Sequence, residues 1–489
     1  MTDDILHEPA RNPSAQPPSR PSSTAQLAQW DRTFVWHPFT PMKPWCENKE
    51  IVVIERGERE FLIDTDGRRY IDAVSSLWCN IHGHNVPELN AAVEQQLSRV
   101  AHSTLLGLSN VPAIVLAKRL VELVQRGGLR LDKVFYSDNG STAVEVACKM
   151  AFQFWRNEDG PAAAGRSRFI AFADAYHGDT IGAVSLGGIP VFHHAFKSLC
   201  FPVDFAPVPE RGDQGAASLA FIENLLAPVP PHRPHPPHRQ HAAIIIEPLI
   251  QGAGGMLVHP PGFLHKLRAL ADRHQVLLIA DEVMTGFGRT GGGNMFACEH
   301  ESVTPDLLCL SKGLTAGYMP LGVTMATQKV FDAFYADPSE GKTFFHGHTF
   351  TGHPLACAVA IASLDLFERN NLLSHVAALE STLADCLAAA RKPETPGSTF
   401  VHDVRQCGLI GAIELRFPDG TPFPAHWRIG GELCTRMRAL GLMMRPLADT
   451  LVIMPPLAIT PENLRCVCHG ALQSLAWIEE IIRSREATS

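Results

Sequence analysis

Five times between residues 133 and 313 the chain runs through a short apolar stretch, meets a turn-forming or charged residue, and enters a segment long enough for a helix. In "KVFYSDNGSTAVEVACKMAFQFW", Val134 to Tyr136 reads as a strand, and Val144, Ala147, Cys148, Ala151 and Phe152 then recur at helical spacing. "RFIAFADAYHG", "AAIIIEP", "VLLIADEV" and "DLLCLSKG" supply the other buried-type strands. This alternation predicts an α/β fold, a mostly parallel sheet covered on both faces. Such sheets bind ligands at the carboxyl ends of their strands. The polar residues just past each strand are therefore the candidates: Gly140 and Ser141, Tyr176 and His177, Glu247, Asp281, and Lys312.

Composition narrows the function classes. A formal charge of -8 without a basic stripe argues against nucleic acid, which demands clustered Lys and Arg. No apolar run approaches the roughly 18 residues of a membrane helix. Twelve scattered cysteines without a C-x-x-C pair, and no leader-like N-terminus, point to reduced thiols in the cytoplasm. Residues 1–30, rich in Pro, Ser and Ala, read as a disordered tail, and 228–241, dense in Pro and His, as a surface insertion.

Two nucleotide motifs are decoys. "GFGRTG", 286–291, matches G-x-G-x-x-G, the mark of a nicotinamide dehydrogenase, but is followed by Gly292, Gly293 and Asn294, which cannot open a phosphate-binding helix. "ADPSEGKT", 336–343, ends like a P-loop but has Ala336 where glycine belongs, and "KVFDAFYAD" before it reads as a helix.

Pyridoxal 5'-phosphate (PLP) accounts for the strand-end set together. It requires a lysine for a Schiff base, a carboxylate facing its pyridine nitrogen, donors for its phosphate and a flat neighbour. Lys312, Asp281, the Asn139–Ser141 helix start and Tyr176 supply these in turn. Each residue alone has a plainer reading: a solvated lysine, a capping aspartate, a core tyrosine, or an ion pair of Glu247 with Arg289. Only the joint fit favours the cofactor.

From about Trp36 to the C-terminus the chain resembles the class III (subgroup II) aminotransferases of the type I PLP fold. "IIIEPLIQGAGG", "LLIADEVMTGFGRTG" and "LCLSKGLTAGYMPLG" carry that likeness. "WHPFTPM", "VSSLWCNIHGH", "AYHGDTIGAVS", "FFHGHTFTGHPLACAVA" and "MRPLADTLVIMPPL" are similar to the 8-amino-7-oxononanoate aminotransferase family within it. The resemblance implies that Lys312 carries the cofactor, Asp281 partners its ring nitrogen, Gly140 and Ser141 hold its phosphate, and Tyr176 stacks on it. It implies a homodimer in which His348 and Thr349 reach the neighbouring subunit's cofactor phosphate. Arg445 is implied to grip the substrate carboxylate, with Gly347, Trp78 and Tyr176 lining the same pocket; no metal is implied, the histidines of "HGHTFTGH" lacking a carboxylate or cysteine at ligand spacing.

The implied substrates are 8-amino-7-oxononanoate and an amino donor, S-adenosylmethionine in most of the family and lysine in some. Phe39 and Leu77 stand where many members carry tyrosine and tryptophan, so they alter the donor pocket, while Trp36 and Trp78 keep its apolar contacts. Another ω-amino acid or diamine transaminase is the alternative activity. A PLP-binding regulator would need a DNA-binding module that about thirty polar residues cannot form. The expected organisation is a small-domain piece at 31–86, a large cofactor domain at 87–360, and the rest of the small domain at 361–489. "IVVIERGEREFLIDTDGRRYIDA" should form a hairpin joining the C-terminal part.

Overall fold

A computed structural model of the chain describes residues 23–48, 50–160, 166–227 and 240–487. These residues form two compact units, one from the described part of 1–56 with 62–69 and the other from 57–61 with the described part of 70–489. Most of the expected tail and insertion lie outside the described residues, and their described edges depart from expectation. Residues 24–30 open the helix Thr24–Phe34, whose first turn is capped where Ser23 Oγ accepts the Gln26 N–H at 3.3 Å. His241 begins the buried strand His241–Ile246 and bonds Asp204 at 2.8 Å.

The first unit holds the helices Thr24–Phe34 and Met42–Glu47 and the expected D-G turn, closed by Asp64 N–H to the Arg68 carbonyl at 3.0 Å.

The second unit is built on a seven-stranded sheet. Its spatial order is Lys133–Ser137, Gly322–Ala326, Leu307–Leu310, Leu277–Asp281, His241–Ile246, Arg168–Phe172, Val203–Ala206. Gly322–Ala326 alone runs antiparallel to its neighbours. Alternate side chains of each strand enter different cores. Ile244, Ile246, Leu278, Ala280, Leu308 and Leu310 pack into one, and Ala243, Ile245, Leu277, Ile279, Leu307 and Cys309 into the other. A sheet buried on both faces requires such near-continuous apolar strands. The helix Gly140–Asp159 covers the second face with Val144, Ala147, Cys148, Ala151, Phe154 and Trp155.

Toward the C-terminus the strands Val401–Cys407, Ile410–Leu415, Thr450–Ile453 and Pro446–Leu447 form an antiparallel sheet. Met443 and Leu442 pair in parallel with Asp72 and Ile71, so the Arg69–Asp72 strand does join the C-terminal part. Among the described residues one helix, Leu372–Ala390, is long and apolar enough to cross a membrane by length and composition alone. Its stripe Leu372, Val376, Leu379, Leu383 and Leu387 is buried in the core shared with the helix Pro461–Leu475.

"GFGRTG" turns out to be a packing device. A Cβ on Gly291 (φ 70°) would come 2.6 Å from Gly408 Cα, and one on Gly408 (φ 56°) 2.2 Å from the Thr290 carbonyl carbon. The two turns meet backbone to backbone, and the Leu409 N–H donates to the Arg289 carbonyl at 3.2 Å.

Candidate active site

Asp281 is the last residue of the central strand Leu277–Asp281. Its Oδ2 accepts from His177 Nδ1 at 2.7 Å and its Oδ1 from the Val283 N–H at 3.0 Å. His177 lies past the strand Arg168–Phe172, two strands away in the sheet order, and its Nε2 is buried without a partner among the described residues. Beside them Glu247, just past His241–Ile246, accepts from the Tyr176 N–H at 3.1 Å and the Gly252 N–H at 2.8 Å. Burial pushes the Glu247 carboxyl up to about 7; His177 and the two N–H groups oppose the shift, and Asp281 adds to it.

Lys312 follows the next strand, Leu307–Leu310, and takes φ 39°, in the left-handed region that costs a side chain strain energy. The turn is held by Ser311 Oγ, which donates to the Leu321 carbonyl at 2.7 Å. Lys312 Nζ lies 5.2 Å from the centre of the Trp78 ring and has no hydrogen-bond partner among the described residues. Burial lowers its pKa, while Asp281, Glu247 and the Cys79 thiol pull it back up. Those opposing pulls put the amine within electrostatic reach of both carboxylates.

Trp78 ends a turn in which Ser75, Ser76, Leu77 and Trp78 all have positive φ, from 45° to 75°. Four such residues without a glycine survive only because their surroundings dictate the path. Ser75 Oγ donates to the Met454 carbonyl at 2.7 Å, and Asp72 accepts from the Ser76 N–H at 2.8 Å and the Ser76 hydroxyl at 2.7 Å. Fully buried Arg289 donates to the Pro455 carbonyl at 2.5 Å and the Asn80 carbonyl at 3.2 Å. Arg289 therefore serves this turn and makes no ion pair with Glu247. Burial lowers its pKa to about 9, while Cys79 and Asp72 pull it back up.

At the start of the helix Gly140–Asp159, the Asn139 side chain accepts the Thr142 N–H at 3.0 Å. No acceptor among the described residues takes the Gly140 or Ser141 N–H. Ser141 Oγ meets Thr180 Oγ1 at 2.8 Å, and a Cβ on Gly178 (φ 124°) would fall 2.2 Å from that same Oγ. Tyr176, between these groups and Glu247, donates its hydroxyl to Asp179 Oδ2 at 2.6 Å. Burial first, and Asp179 second, raise its pKa.

The sequence model for "Aminotransferase class-III" matches residues 44–474. The chain belongs to the class-III aminotransferases. An adenosylmethionine-8-amino-7-oxononanoate aminotransferase of Geobacter sulfurreducens is 50% identical over 461 residues, 92% of this chain and 98% of that protein. Its namesake from Aquifex aeolicus is 45% identical, covering 92% and 96%. The crystal structure of the enzyme of that name from Methanocaldococcus jannaschii superposes with a TM-score of 0.83 at 36% identity, over 92% of this chain and 98% of that one. An amine transaminase from an uncultivated Pseudomonas species, in its PLP-bound form, gives 0.80 at 32%, covering 90% and 98%.

The residues of this class-III aminotransferase fit PLP. An amine and two N–H groups at the start of a 20-residue helix, all without hydrogen-bond partners among the described residues, and a carboxylate fixed by His177 are the groups that this cofactor requires. Of the expected set, the fold brings together Lys312, Asp281, Tyr176 and Trp78. Gly140 adjoins them, since a Cβ there would lie 2.6 Å from Val283 Cγ1, and Ser141 follows it.

No hydrogen bond among the described residues ties Arg445, Gly347, His348 or Thr349 to these side chains. Arg445 is exposed, with no partner for its guanidinium among the described residues. The hydrogen bonds of His348 stay local: its N–H goes to Thr351 Oγ1 at 3.1 Å and its Nδ1 accepts from the Phe350 N–H at 3.2 Å. Gly347 and Thr349 share that stretch. Leu77 is 44% exposed; Phe39 (52%) and Trp36 (87%) belong to the first unit. Asp179 escaped the sequence reading because nothing distinguishes an aspartate three residues past a tyrosine until the loop folds back.

Proposed function

We propose that the chain transfers an amino group to 8-amino-7-oxononanoate, giving 7,8-diaminononanoate, the biotin-pathway step. The observation that carries the reading is the Lys312 amine, which lies against the Trp78 ring, has no hydrogen-bond partner among the described residues and is pulled on electrostatically by Asp281 and Glu247. The names of relatives up to 50% identical supply the substrate class. Bound PLP supplies an electron sink for the carbon that loses its proton. Lys312 would attach the cofactor and, once released, carry the proton between the carbon bearing the amino group and C4′ of the cofactor, as an amine of lowered basicity does. Asp281 would hold positive charge at the ring nitrogen, with His177 fixing its orientation. Gly140 and Ser141 would donate to the phosphate, Tyr176 would cover the ring, and Arg445 would grip the substrate carboxylate.

S-adenosylmethionine is our first assignment for the donor, following the names of the relatives. Lysine is the second, favoured by Leu77, whose exposed aliphatic side chain offers a sulfonium no aromatic face. We assign the chain to a cytoplasmic homodimer, with a cofactor domain at 87–360 and a small domain at 31–86 and 361–489. Exposed Phe345 (85%) and Phe350 (52%), flanking His348 and Thr349, support a partner on that surface.

The deciding experiment gives purified holoenzyme 8-amino-7-oxononanoate with S-adenosylmethionine, lysine or an ω-amine, and follows the diamine by mass spectrometry. Diamine formed with one of the first two donors identifies the donor. Turnover with ω-amines and none with the keto acid overturns the proposal.

A further inference from the structure

Thr180 stands immediately before the short helix Ile181–Leu186, where a threonine ordinarily caps the helix by accepting one of its free N–H groups. Its side chain makes no such bond. The hydroxyl turns instead to Ser141 Oγ at 2.8 Å, and the Thr180 N–H donates to that same oxygen at 3.0 Å. Two groups of one residue thus converge on the second residue of the helix Gly140–Asp159.

The approach is built into the loop. A Cβ on Gly178 (φ 124°) would lie 2.7 Å from Ser141 Cα as well as against its hydroxyl, so only glycine lets the chain pass so near. Beyond Thr180, Glu145 of the same helix accepts the Gly182 N–H at 2.6 Å. On the other side of Thr180, Asp179 accepts the Tyr176 hydroxyl at 2.6 Å. The segment that presents Tyr176 is therefore stitched to the helix that presents Ser141, and Thr180 is the stitch at the helix start.

Counting protons gives the pair a direction. A serine hydroxyl has one proton and two lone pairs. The Thr180 N–H occupies one lone pair of Ser141 Oγ; with the Thr180 hydroxyl donating to the other, the Ser141 proton is left over. Phosphate oxygens are strong acceptors, so a phosphate at this helix start selects that arrangement, and hydroxyls donating in one line polarise one another.

We infer that Thr180 is a positioning residue for the cofactor phosphate: its hydroxyl fills the last acceptor site of Ser141 Oγ and so leaves the Ser141 proton to the phosphate. The inference rests on the reading in which Ser141 holds that group.

The test titrates the full-length protein, freed of cofactor, with PLP and in parallel with pyridoxal, which offers Lys312 the same aldehyde and no phosphate. The absorbance of lysine-bound ligand reports binding. Thr180→Val keeps the shape and the N–H and removes the hydroxyl; it should weaken PLP binding about tenfold and leave pyridoxal binding within about twofold. Thr180→Ser, which restores the hydroxyl, should bring PLP binding to within about threefold of wild type. Ser141→Ala should itself weaken PLP binding at least about tenfold, and Thr180→Val in that background should add less than about threefold, since the two hydroxyls act as one unit. Thr180→Ala carries the expectation of Thr180→Val should valine not fold. Wild-type PLP affinity without the Thr180 hydroxyl, equal losses for PLP and pyridoxal, or an undiminished effect in the Ser141→Ala background overturns the inference. Wild-type PLP affinity in Ser141→Ala alone overturns the phosphate role of Ser141 beneath it.

Discussion

His177 Nδ1 donates to Asp281 Oδ2 across 2.7 Å, with both side chains sealed from solvent. With the Val283 N–H on its other oxygen, the Asp281 carboxylate is fixed in place before any ligand arrives. Preorganised charge of this kind stabilises charge that develops during reaction. Asp281→Asn keeps the shape and loses the charge. It should lower kcat by about a hundredfold or more in the diamine assay; a variant within a few-fold of wild type would remove Asp281 from the ring-nitrogen role.

Lys312 offers the sharpest spectroscopic test. Its amine has no hydrogen-bond partner among the described residues, so Lys312→Ala removes chemistry and little packing. The variant should lose the absorbance of lysine-bound cofactor and at least about a thousandfold in turnover. It should still melt cooperatively. An unchanged spectrum would assign cofactor attachment elsewhere.

Much of this site was legible in the sequence because parallel sheets announce themselves. Ile244, Ile245 and Ile246 must be apolar on both faces, so the strand and its carboxyl end could be read directly, and with them Glu247, Asp281 and Lys312. The strand Gly322–Ala326 was missed because its neighbours in space, Leu307–Leu310 and Lys133–Ser137, lie on both sides of it through long-range pairing that leaves no local pattern. The left-handed turn at 75–78 was invisible for the opposite reason: nothing in Ser-Ser-Leu-Trp prefers positive φ, and its path is imposed from outside by Met454 and Asp72. Tertiary contacts decided what propensity alone would have refused.

Glu247 carries a pH signature. Its folded pKa, raised by burial from 4.5 to about 7, makes the native state bind the extra proton between those values. Its contribution is therefore present below pH 4.5 and lost as pH rises toward 7, by about 3 kcal/mol in all. Glu247→Gln abolishes this titration but leaves one of its two N–H donors facing an amide NH2 group, at about 1–3 kcal/mol. Denaturant melts should show the variant gaining about 2 kcal/mol on wild type between pH 5 and pH 8, from less stable at pH 5 to equal or more stable at pH 8. A pH-independent difference would mean that Glu247 is ionised throughout.

Arg445 tests recognition separately from chemistry. Exposed and without an ionic partner among the described residues, its guanidinium costs the fold little to remove. Arg445→Ala should leave the melting temperature unchanged and raise the KM for the keto acid by about ten- to a hundredfold, the value of a charge-assisted pair of about 1.5–3 kcal/mol. Arg445→Lys should recover part of that, because an ammonium attracts a carboxylate without the two-pronged grip. If the alanine variant binds the keto acid normally, the carboxylate is held by another residue.

The last prediction concerns the assembly. Phe345 is 85% exposed, Leu106 72% and Leu108 64%. These lie on segments tied to one another, since Asn110 Nδ2 donates to the Gly352 carbonyl at 3.0 Å and His102 meets the Phe350 ring at 5.2 Å. So much exposed apolar surface around one loop suits a protein interface. Burying a lysine there would strand a charge, so Phe345→Lys should weaken self-association at least about tenfold in sedimentation experiments. If His348 and Thr349 serve the neighbouring subunit's cofactor, activity should fall with the dimer on dilution and return on concentration. A Phe345→Lys variant that stays dimeric at the same dilutions would move the interface elsewhere, and one that turns over fully as a monomer would return the whole site to a single chain.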